Sequence, residues 1–293
     1  RAKNFQVKNR LSILYEGKPG NFQYLSGRPK PFQQLTAVFV TLLEGTIADG
    51  KIAFKARKGG VDFDGRVVAQ LAVVVIPTGG FLGGGFSDGV RSALIALSEL
   101  GKAGDPNGTV TLVGEKNLEY EAEANYREVQ RLLGLLGVKV RLRFVRNIAV
   151  SEIAQLGSSS LNILREESLA DIGDLLKGRF GTPYLPSFPL GFEGTLTFLS
   201  QVGDALNTGS DRAISMELER QKGIIDQFSE LRGRAVNICH SDHMPAPFLS
   251  ELLELFDLQV KERGQILTLP DPIPVGTSGL SRMLSRWQRV LHA

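Results

Sequence analysis

The sequence of 293 residues contains one cysteine, Cys239, together with only three histidines and one tryptophan. A single thiol excludes a disulfide framework within the chain, and it also excludes an iron–sulfur cluster held by several thiolates of this chain alone. The charges nearly balance, since 34 basic side chains face 31 acidic ones and the net charge is +3. That excess is too small to indicate binding to nucleic acid or to an anionic membrane.

Long apolar runs are also missing from the sequence. The longest, residues 71–76 and 132–138, fall far short of the ~18 residues that a membrane-spanning helix needs. Residues 1–10 are rich in basic side chains, but the apolar stretch of a secretory signal does not follow them. We therefore expect no targeting peptide, no membrane span, and a reducing, cytoplasmic setting.

The residues that are present indicate an ordered fold, because 42% of them are hydrophobic. From residue 66 onward, short β-branched segments alternate with longer segments that carry apolar residues at helical spacing. The predicted strands are residues 66–76, 109–113, 138–144, 160–164 and 235–239. This alternation favours an α/β fold, with Rossmann-like units in which parallel sheets are flanked by helices.

Three segments follow from this pattern. Residues 1–65 are interrupted by proline and glycine and stay poorly assigned, whereas residues 66–210 predict a Rossmann-like α/β domain. Residues 211–293 predict a connector helix followed by a partial second α/β domain. From residue 265 onward, the frequent prolines and glycines predict mostly loop, closed by a short amphipathic helix over 281–291.

A glycine-rich loop, residues 78–89, lies between a predicted strand and a predicted helix, with Gly83, Gly84 and Gly85 at its centre. Backbone amides there can approach an anionic ligand, and the amino end of a helix favours negative charge. The loop is neither a Walker A motif nor a clean dinucleotide fingerprint. A helix cap at Ser87 or at the residue after it explains part of the pattern without a ligand.

A second candidate loop follows the predicted strand that ends at Cys239. His240, Asp242 and His243 lie in it, and all these residue types can ligate a transition metal. Neighbours on one loop cannot easily all face one ion, and the usual spacings of zinc ligands are absent. Any metal therefore stays unassigned.

Other candidates lie where predicted strands end, because α/β proteins bind ligands at the carboxyl ends of their strands. Glu115, Lys116 and Asn117 follow one strand, and Arg165 follows another. Ordinary surface charge is the simpler explanation for the first three. The sequence has no Gly-x-Ser-x-Gly elbow and no evident Ser–His–Asp order, so we predict no catalytic residue.

The predicted strand 138–144 alternates apolar and basic residues, and Lys139, Arg141 and Arg143 belong to this pattern, which Arg146 continues. Two explanations stay open. The basic side chains could meet acidic groups of a partner, or they could be the solvated face of an edge strand. Aromatic residues are not interleaved with them, so stacking on single-stranded nucleic acid is unsupported.

Several longer segments occur in a characteristic order. They read IPTGGFLGGGFSDGVRSAL, then TLVGEKN and NYREVQRLLGLLGVKV, then LNILREESLADIGDLLKGRFGTPYLPSFPLGFEGTLTFL, and last ELERQKGIIDQFSELRGRAVNICHSDHMPAPFLSELLEL. From about residue 71 to 260 this order resembles the nitrogenase component 1 family. That family includes the molybdenum–iron protein subunits, their cofactor-assembly scaffold homologues and the dark-operative protochlorophyllide reductase subunits. The β-like chains look nearest.

The resemblance implies an oxidoreductase or cofactor-assembly scaffold subunit for nitrogen fixation or a related reduction. It would work in a multi-subunit complex with a homologous component 1-like subunit, and it would receive electrons from an ATP-dependent iron protein. The implied cofactor is an iron–sulfur or related metallocluster shared with the partner and not ligated by this chain alone. The cysteines of the family's N-terminal domain are missing here, and Arg165 begins the stretch where α-like chains carry a further cysteine. The implied cofactor contacts are Gly83, Gly84, Gly85, Glu115, Lys116, Asn117, Arg165, His240 and His243.

Two further functions stay open. A non-catalytic interaction subunit would keep the fold and the pairing surface while a partner chain carries the cysteines. A small-molecule or nucleotide-binding domain of the doubly wound type would instead use the glycine loop for phosphate.

Overall fold

The structure, a computed structural model, describes the side chains of residues 86–116, 119–149, 151–239 and 247–292. It also describes the backbone of Val150 and Ala246 and of seven strands before residue 86. These strands are β1 (Lys3–Phe5), β2 (Ser12–Glu16), β3 (Phe22–Gln23), β4 (Leu35–Val40), β5 (Leu43–Ala48), β6 (Lys51–Ala56) and β7 (Val74–Thr78). They form two antiparallel sheets, with the strand orders β1-β5-β6 and β3-β2-β4-β7.

Strand β7 differs from the expectation for its segment. The sequence predicts a strand over 66–76 within a parallel sheet, but β7 pairs antiparallel with β4, with Ala37 opposite Ile76. Residues 66–73 lie outside the described part of the chain. A continuous apolar run indicates a buried strand, but it carries no information on the direction of the neighbouring strand.

From residue 86 onward, helices and strands alternate as predicted. The elements are α1 (Phe86–Ser98), β8 (Val110–Val113), α2 (Ala122–Leu135), β9 (Val140–Phe144), α3 (Val150–Ile153), β10 (Leu161–Leu164), α4 (Ala170–Phe180), β11 (Tyr184–Leu185), α5 (Gly191–Leu206), α6 (Asp211–Gln227), β12 (Ala235–Cys239), α7 (Ala246–Leu255), β13 (Gln259–Val260), β14 (Gln265–Thr268) and α8 (Gly276–Leu291). Within the described stretches, none of the helices is long and apolar enough to cross a membrane.

The chain divides into two compact units. One comprises residues 1–105, 147–158 and 174–181, and the other comprises 106–146, 159–173 and 182–293. The second unit contains both parallel sheets. The predicted domain bounds of 66–210 and 211–293 stay a prediction.

The first parallel sheet has the strand order β11-β10-β8-β9. Apolar side chains of its strands pack with those of α2 and α5 in one core. This core includes Val110, Leu112, Leu161 and Ile163 of the strands, Val129, Leu132 and Leu133 of α2, and Phe198, Leu199 and Val202 of α5. Burial of one such side chain contributes about 1.5–3 kcal/mol to folding.

The second parallel sheet has the order β13-β12-β14 and a core of its own. Val236 and Leu267 of the strands pack there with apolar residues of α7 and α8, and Trp287 of α8 is almost fully buried. Parallel sheets flanked by helices confirm the predicted fold class. The expectation that the segment from residue 265 is mostly loop is wrong, because β14 lies there and α8 begins five residues before the predicted helix.

The first turn of α8 is fastened to α2 and α6. The backbone N–H of Val275 donates to Oδ1 of Asn125 on α2 at 3.2 Å. The side-chain amide of Gln221 on α6 donates both to the carbonyl of Phe192, at 3.0 Å, and to Oγ1 of Thr277, at 3.3 Å. Asn125 of α2 thus accepts a backbone N–H at the amino end of α8, where N–H groups lack partners within the helix, and Gln221 of α6 joins this end to the start of α5.

Candidate functional site

The parallel register brings three strand ends of the first sheet to one edge. Val113 of β8 lies opposite Phe144 of β9 and opposite Leu164 of β10. The residues at and after these ends therefore share the carboxyl edge, where open α/β sheets bind ligands. Six of them form ion pairs, and we call this set the strand-end cluster: Glu115, Lys116, Glu119, Arg143, Arg165 and Glu166.

Glu115 and Arg143 form a two-pronged ion pair. Nε and Nη2 of Arg143 donate to the two carboxylate oxygens of Glu115, at 2.8 and 2.6 Å. The side chains are 3% and 11% exposed, respectively, so the pair lies largely out of water. Arg143 also pairs with Glu123 at 3.1 Å and stacks 3.7 Å from the ring centre of Tyr126. Burial acts to lower the pKa of the Arg143 guanidinium, but its bonds to the two glutamates outweigh burial and raise that pKa.

Arg165 is held in the same way on the next strand. Its backbone N–H donates to the carbonyl of Val113 at 2.9 Å, which continues the sheet one residue beyond β10. Its Nε lies 3.0 and 3.1 Å from the carboxylate oxygens of Glu119, and Nη2 donates to the same carboxylate. The guanidinium also lies 5.4 Å from the ring centre of Phe188. Arg165 and Glu119 are only 7% and 3% exposed, so this pair is also buried.

Lys116 and Glu166 form the third pair, with Nζ and Oε2 at 2.9 Å. The hydroxyl of Ser168 donates to the same carboxylate at 2.7 Å, and Arg146 donates to the carbonyl of Lys116 at 3.1 Å. Burial would raise the pKa of the Glu166 carboxyl, but the hydrogen bonds from Lys116 and Ser168 outweigh burial and hold that pKa below its ordinary value. Each of the three carboxylates, from Glu115, Glu119 and Glu166, therefore forms an ion pair with a basic side chain.

Among the predicted site residues, the structure brings Glu115, Lys116 and Arg165 together at this edge. Glu115 is buried, so ordinary surface charge does not describe it. The remaining predicted contacts lie outside the described residues: Gly83, Gly84, Gly85, Asn117, His240 and His243.

Sequence reasoning missed Glu119 and Glu166 as the partners of Arg165 and Lys116. It also left Arg143 as a basic residue that faces either a partner or solvent, whereas Arg143 pairs with acidic groups of its own chain. The sequence shows charged residues around 115–119 and 165–167 after two predicted strands, but only the register shows that these strands lie side by side.

The side chains of the strand-end cluster do not fit an iron–sulfur centre, which needs thiolate ligands. Iron–sulfur clusters are held by deprotonated cysteines, and this edge offers carboxylates and cations instead. The one thiol of the chain, Cys239, is exposed at the end of β12 in the other parallel sheet. Among the side chains that the structure describes, His, Cys, Asp and Glu form no group of three that could hold a metal ion.

A groove of about 440 Å³ lies between α2 and α8. Arg131, which lines this groove, pairs with Glu128 of its own helix and with Glu217 of α6, and the two carboxylates are nearly fully buried. Glu128 also accepts hydrogen bonds from Ser278 at the start of α8. These contacts connect α2, α6 and α8.

Comparison with known proteins points to one family. The model of the nitrogenase component 1 type oxidoreductases matches residues 53–256. A light-independent protochlorophyllide reductase subunit from Chlorobium luteolum is 32% identical over 125 residues, which cover 42% of this chain and 23% of the relative. The corresponding subunit from Chlorobium limicola is 26% identical over 122 residues, which cover 41% of this chain and 23% of the relative. The matched region thus spans about a quarter of the length of these relatives.

A solved structure supports the fold. The structure of nitrogenase Cp1 at pH 5 superposes with a TM-score of 0.50 and 17% identity. The superposition covers 62% of this chain and 38% of the nitrogenase chain. At this identity the likeness concerns the fold alone.

Proposed function

Since the chain belongs to the nitrogenase component 1 type oxidoreductases, we propose that it is one subunit of a nitrogenase-like oxidoreductase or of a cofactor-assembly scaffold. It works beside a homologous component 1-like subunit in a multi-subunit complex, in the cytoplasm. An ATP-dependent iron protein delivers the electrons. The observation that carries this proposal is the family match across residues 53–256 in a chain with a single cysteine.

The cofactor of this complex is an iron–sulfur or related metallocluster whose thiolate ligands come from the partner chain. One cysteine cannot supply the several thiolates that such a cluster needs. This chain contributes contacts from the loops that follow its strands. The contacts proposed are Gly83, Gly84, Gly85, Glu115, Lys116, Asn117, Arg165, His240 and His243.

The reaction class is a reduction, and two substrates are the leading alternatives. The relatives matched are protochlorophyllide reductase subunits, which favours that substrate over dinitrogen. Both can be offered to the assembled complex under reducing, anaerobic conditions with ATP. Reduced protochlorophyllide or ammonia then identifies the reaction.

The test of the subunit proposal is co-purification. The tagged chain is expressed anaerobically with a cysteine-bearing component 1-like chain and an iron protein from the same organism. We expect a complex with the cysteine-bearing chain that contains iron and acid-labile sulfide, and we expect the iron protein to bind it in an ATP-dependent manner. A stable monomer that binds neither partner would contradict the proposal.

A second candidate is a non-catalytic interaction subunit, and the ion pairs of the strand-end cluster favour it. Their charges are satisfied within the chain, so this edge needs no cofactor to be stable. In that case the complex forms, but substrate reduction does not change when Glu115, Lys116 or Arg165 is substituted. A loss of turnover in a complex that still assembles would favour the first candidate.

A further inference from the structure

The ion pairs of the strand-end cluster already use the groups that a metal centre at this edge would need. Both carboxylate oxygens of Glu115 accept hydrogen bonds from Arg143, and both oxygens of Glu119 accept them from Arg165. A metal ion at this edge would therefore compete with these guanidinium groups for the carboxylate oxygens. If Glu119 left its pair to bind a metal, the buried guanidinium of Arg165 would remain without that carboxylate, whereas Arg143 would keep Glu123 if Glu115 left.

The cost of that exchange is high because the pairs are largely dry. Glu115 and Glu119 are each 3% exposed, and their arginine partners are about a tenth exposed. Breaking a buried pair by removing one member is strongly destabilising, since it leaves an uncompensated charge out of water. The two-pronged geometry adds to this cost, because each pair loses two hydrogen bonds at once.

Arg165 lies directly at the carboxyl end of a central strand, β10. It is the first residue after β10, and its own backbone N–H is bound to β8. Its guanidinium lies between the carboxylate of Glu119 and the ring of Phe188. The space directly beyond the two central strands, β8 and β10, thus contains a large cation with its own anion.

We infer that the strand-end cluster closes the carboxyl edge of the first parallel sheet and does not ligate a metal or an iron–sulfur cluster. Arg165 and Glu119 are the central pair of this closure, and Glu115–Arg143 and Lys116–Glu166 flank it. Lys116 and Glu166, which are 24% and 33% exposed, can still contact a cofactor that a partner holds. This inference rests on the proposed function, which places a metallocluster near this chain. Its test requires only the full chain without a partner.

The first experiment asks whether iron binds at the edge. The full chain is incubated anaerobically with ferrous iron and sulfide and then desalted, and iron, sulfide and visible absorption are measured. The same is done for Arg165→Met, Glu119→Gln and Cys239→Ser. Exposed residues outside the cluster provide the matched controls Arg232→Met and Glu219→Gln.

We expect the wild-type chain to retain no more iron than a buffer blank, or to retain iron that every edge variant keeps. Iron that is lost only in Cys239→Ser lies at the thiol and leaves the inference standing. Iron that is retained by the wild type and by Arg165→Met but lost in Glu119→Gln, while both controls keep it, would overturn the inference, because only loss of the carboxylate then removes the metal. Iron lost in both pair variants follows from breaking the buried pair.

The second experiment tests the closure itself with a double-mutant cycle. We expect Arg165→Met and Glu119→Leu each to lower the melting temperature, and the double variant to recover most of the loss, because it leaves no buried charge unpaired. Arg165→Lys keeps the charge but cannot form the two-pronged hydrogen bonds. It replaces Arg165→Met in the cycle if the methionine variant does not fold. Strictly additive losses would show that the two residues do not act as a pair. Failure of the subunit proposal would appear separately, as the absence of a complex in the co-purification.

Discussion

Glu128 on α2 caps the amino end of α8, a helix 150 residues further along the chain: its Oε1 accepts the backbone N–H of Ser278 at 2.9 Å. The hydroxyl of Ser278 donates to the other carboxylate oxygen. The same carboxylate pairs with Arg131, which reaches Glu217 on α6. A single side chain thereby neutralises a cation and satisfies a helix terminus.

The first prediction concerns the charge of Glu128. Glu128→Gln keeps an oxygen for Ser278 but removes the charge that pairs with Arg131. We expect the free energy of unfolding in urea to fall by about 1–3 kcal/mol. Glu219→Gln, at an exposed position of α6, is the control and should change stability by less than about 0.5 kcal/mol. Equal losses in the two variants would contradict the role of Glu128.

The second prediction concerns pH. Burial would raise the pKa of Glu128, but its hydrogen bonds from Arg131 and Ser278 hold it below the ordinary value of 4.5. A folded-state pKa below the unfolded one stabilises the protein above the unfolded pKa, and this stabilisation is lost as the pH falls through the folded pKa. The stability difference between wild type and Glu128→Gln should be full at neutral pH and shrink below about pH 4.5. A difference that does not depend on pH would contradict this.

The third prediction concerns Glu251, whose contribution to stability should change with pH in the opposite direction to that of Glu128. Glu251 on α7 accepts the backbone N–H groups of Phe192 and Glu193 at the start of α5, at 2.9 and 2.6 Å. Burial raises the pKa of Glu251 above 4.5, because it outweighs these two bonds. The contribution of Glu251 to stability is therefore largest below pH 4.5 and declines as the pH rises through the folded pKa. Urea unfolding of wild type and Glu251→Gln as a function of pH should show their difference falling toward higher pH.

The fourth prediction uses two glycines of α5. Gly191 has φ of +72°, and a Cβ atom there would overlap Oε2 of Glu251. Gly194 has open space around it and a helical position. Gly191→Ala should cost about 1–3 kcal/mol through backbone strain alone, whereas Gly194→Ala should stabilise the protein by about 0.5–1 kcal/mol. Thermal unfolding of the two variants checks both signs.

The fifth prediction concerns Asn162 on β10, which is 1% exposed. Within the described ranges, neither atom of its side-chain amide has a hydrogen-bond partner. Asn162→Leu should therefore be neutral or raise the free energy of unfolding by about 1–2 kcal/mol. Thr111→Val is the contrast, since Thr111 and Ser159 share a hydrogen bond of 2.7 Å, and this variant should lose about 1 kcal/mol. A clear loss in Asn162→Leu would indicate a partner such as a bound water.

Residue patterns predicted the elements from α1 to β12, apart from the two-residue strand β11, because their signals are local. Apolar residues at helical spacing mark α1 and α2, and short β-branched runs mark β8 and β10. Strand β14 escaped because Gln265–Thr268 is short and stands before a run of prolines, which indicates loop. Its place in the sheet comes from pairing with β12, a tertiary contact that no local pattern records.

The candidate site was predicted in part for the same reason. The rule that ligands bind at the carboxyl ends of strands selected Glu115 and Arg165. The partner of Arg165 is 46 residues away in sequence, and the partner of Glu115 is 28 residues away. Such pairings follow from strand order, so sequence alone revealed the charges but could not say that they neutralise one another.

Helix α8 links the two parallel sheets, which would otherwise be able to fold independently. Each parallel sheet has its own apolar interior, and α8 belongs to that of the second, yet its first turn is bonded to Asn125 and Glu128 of a helix that covers the first. Unfolding of either sheet with its helices would therefore break hydrogen bonds made by the other. The described residues within 106–146, 159–173 and 182–292 should consequently unfold as one cooperative unit in calorimetry and in amide exchange.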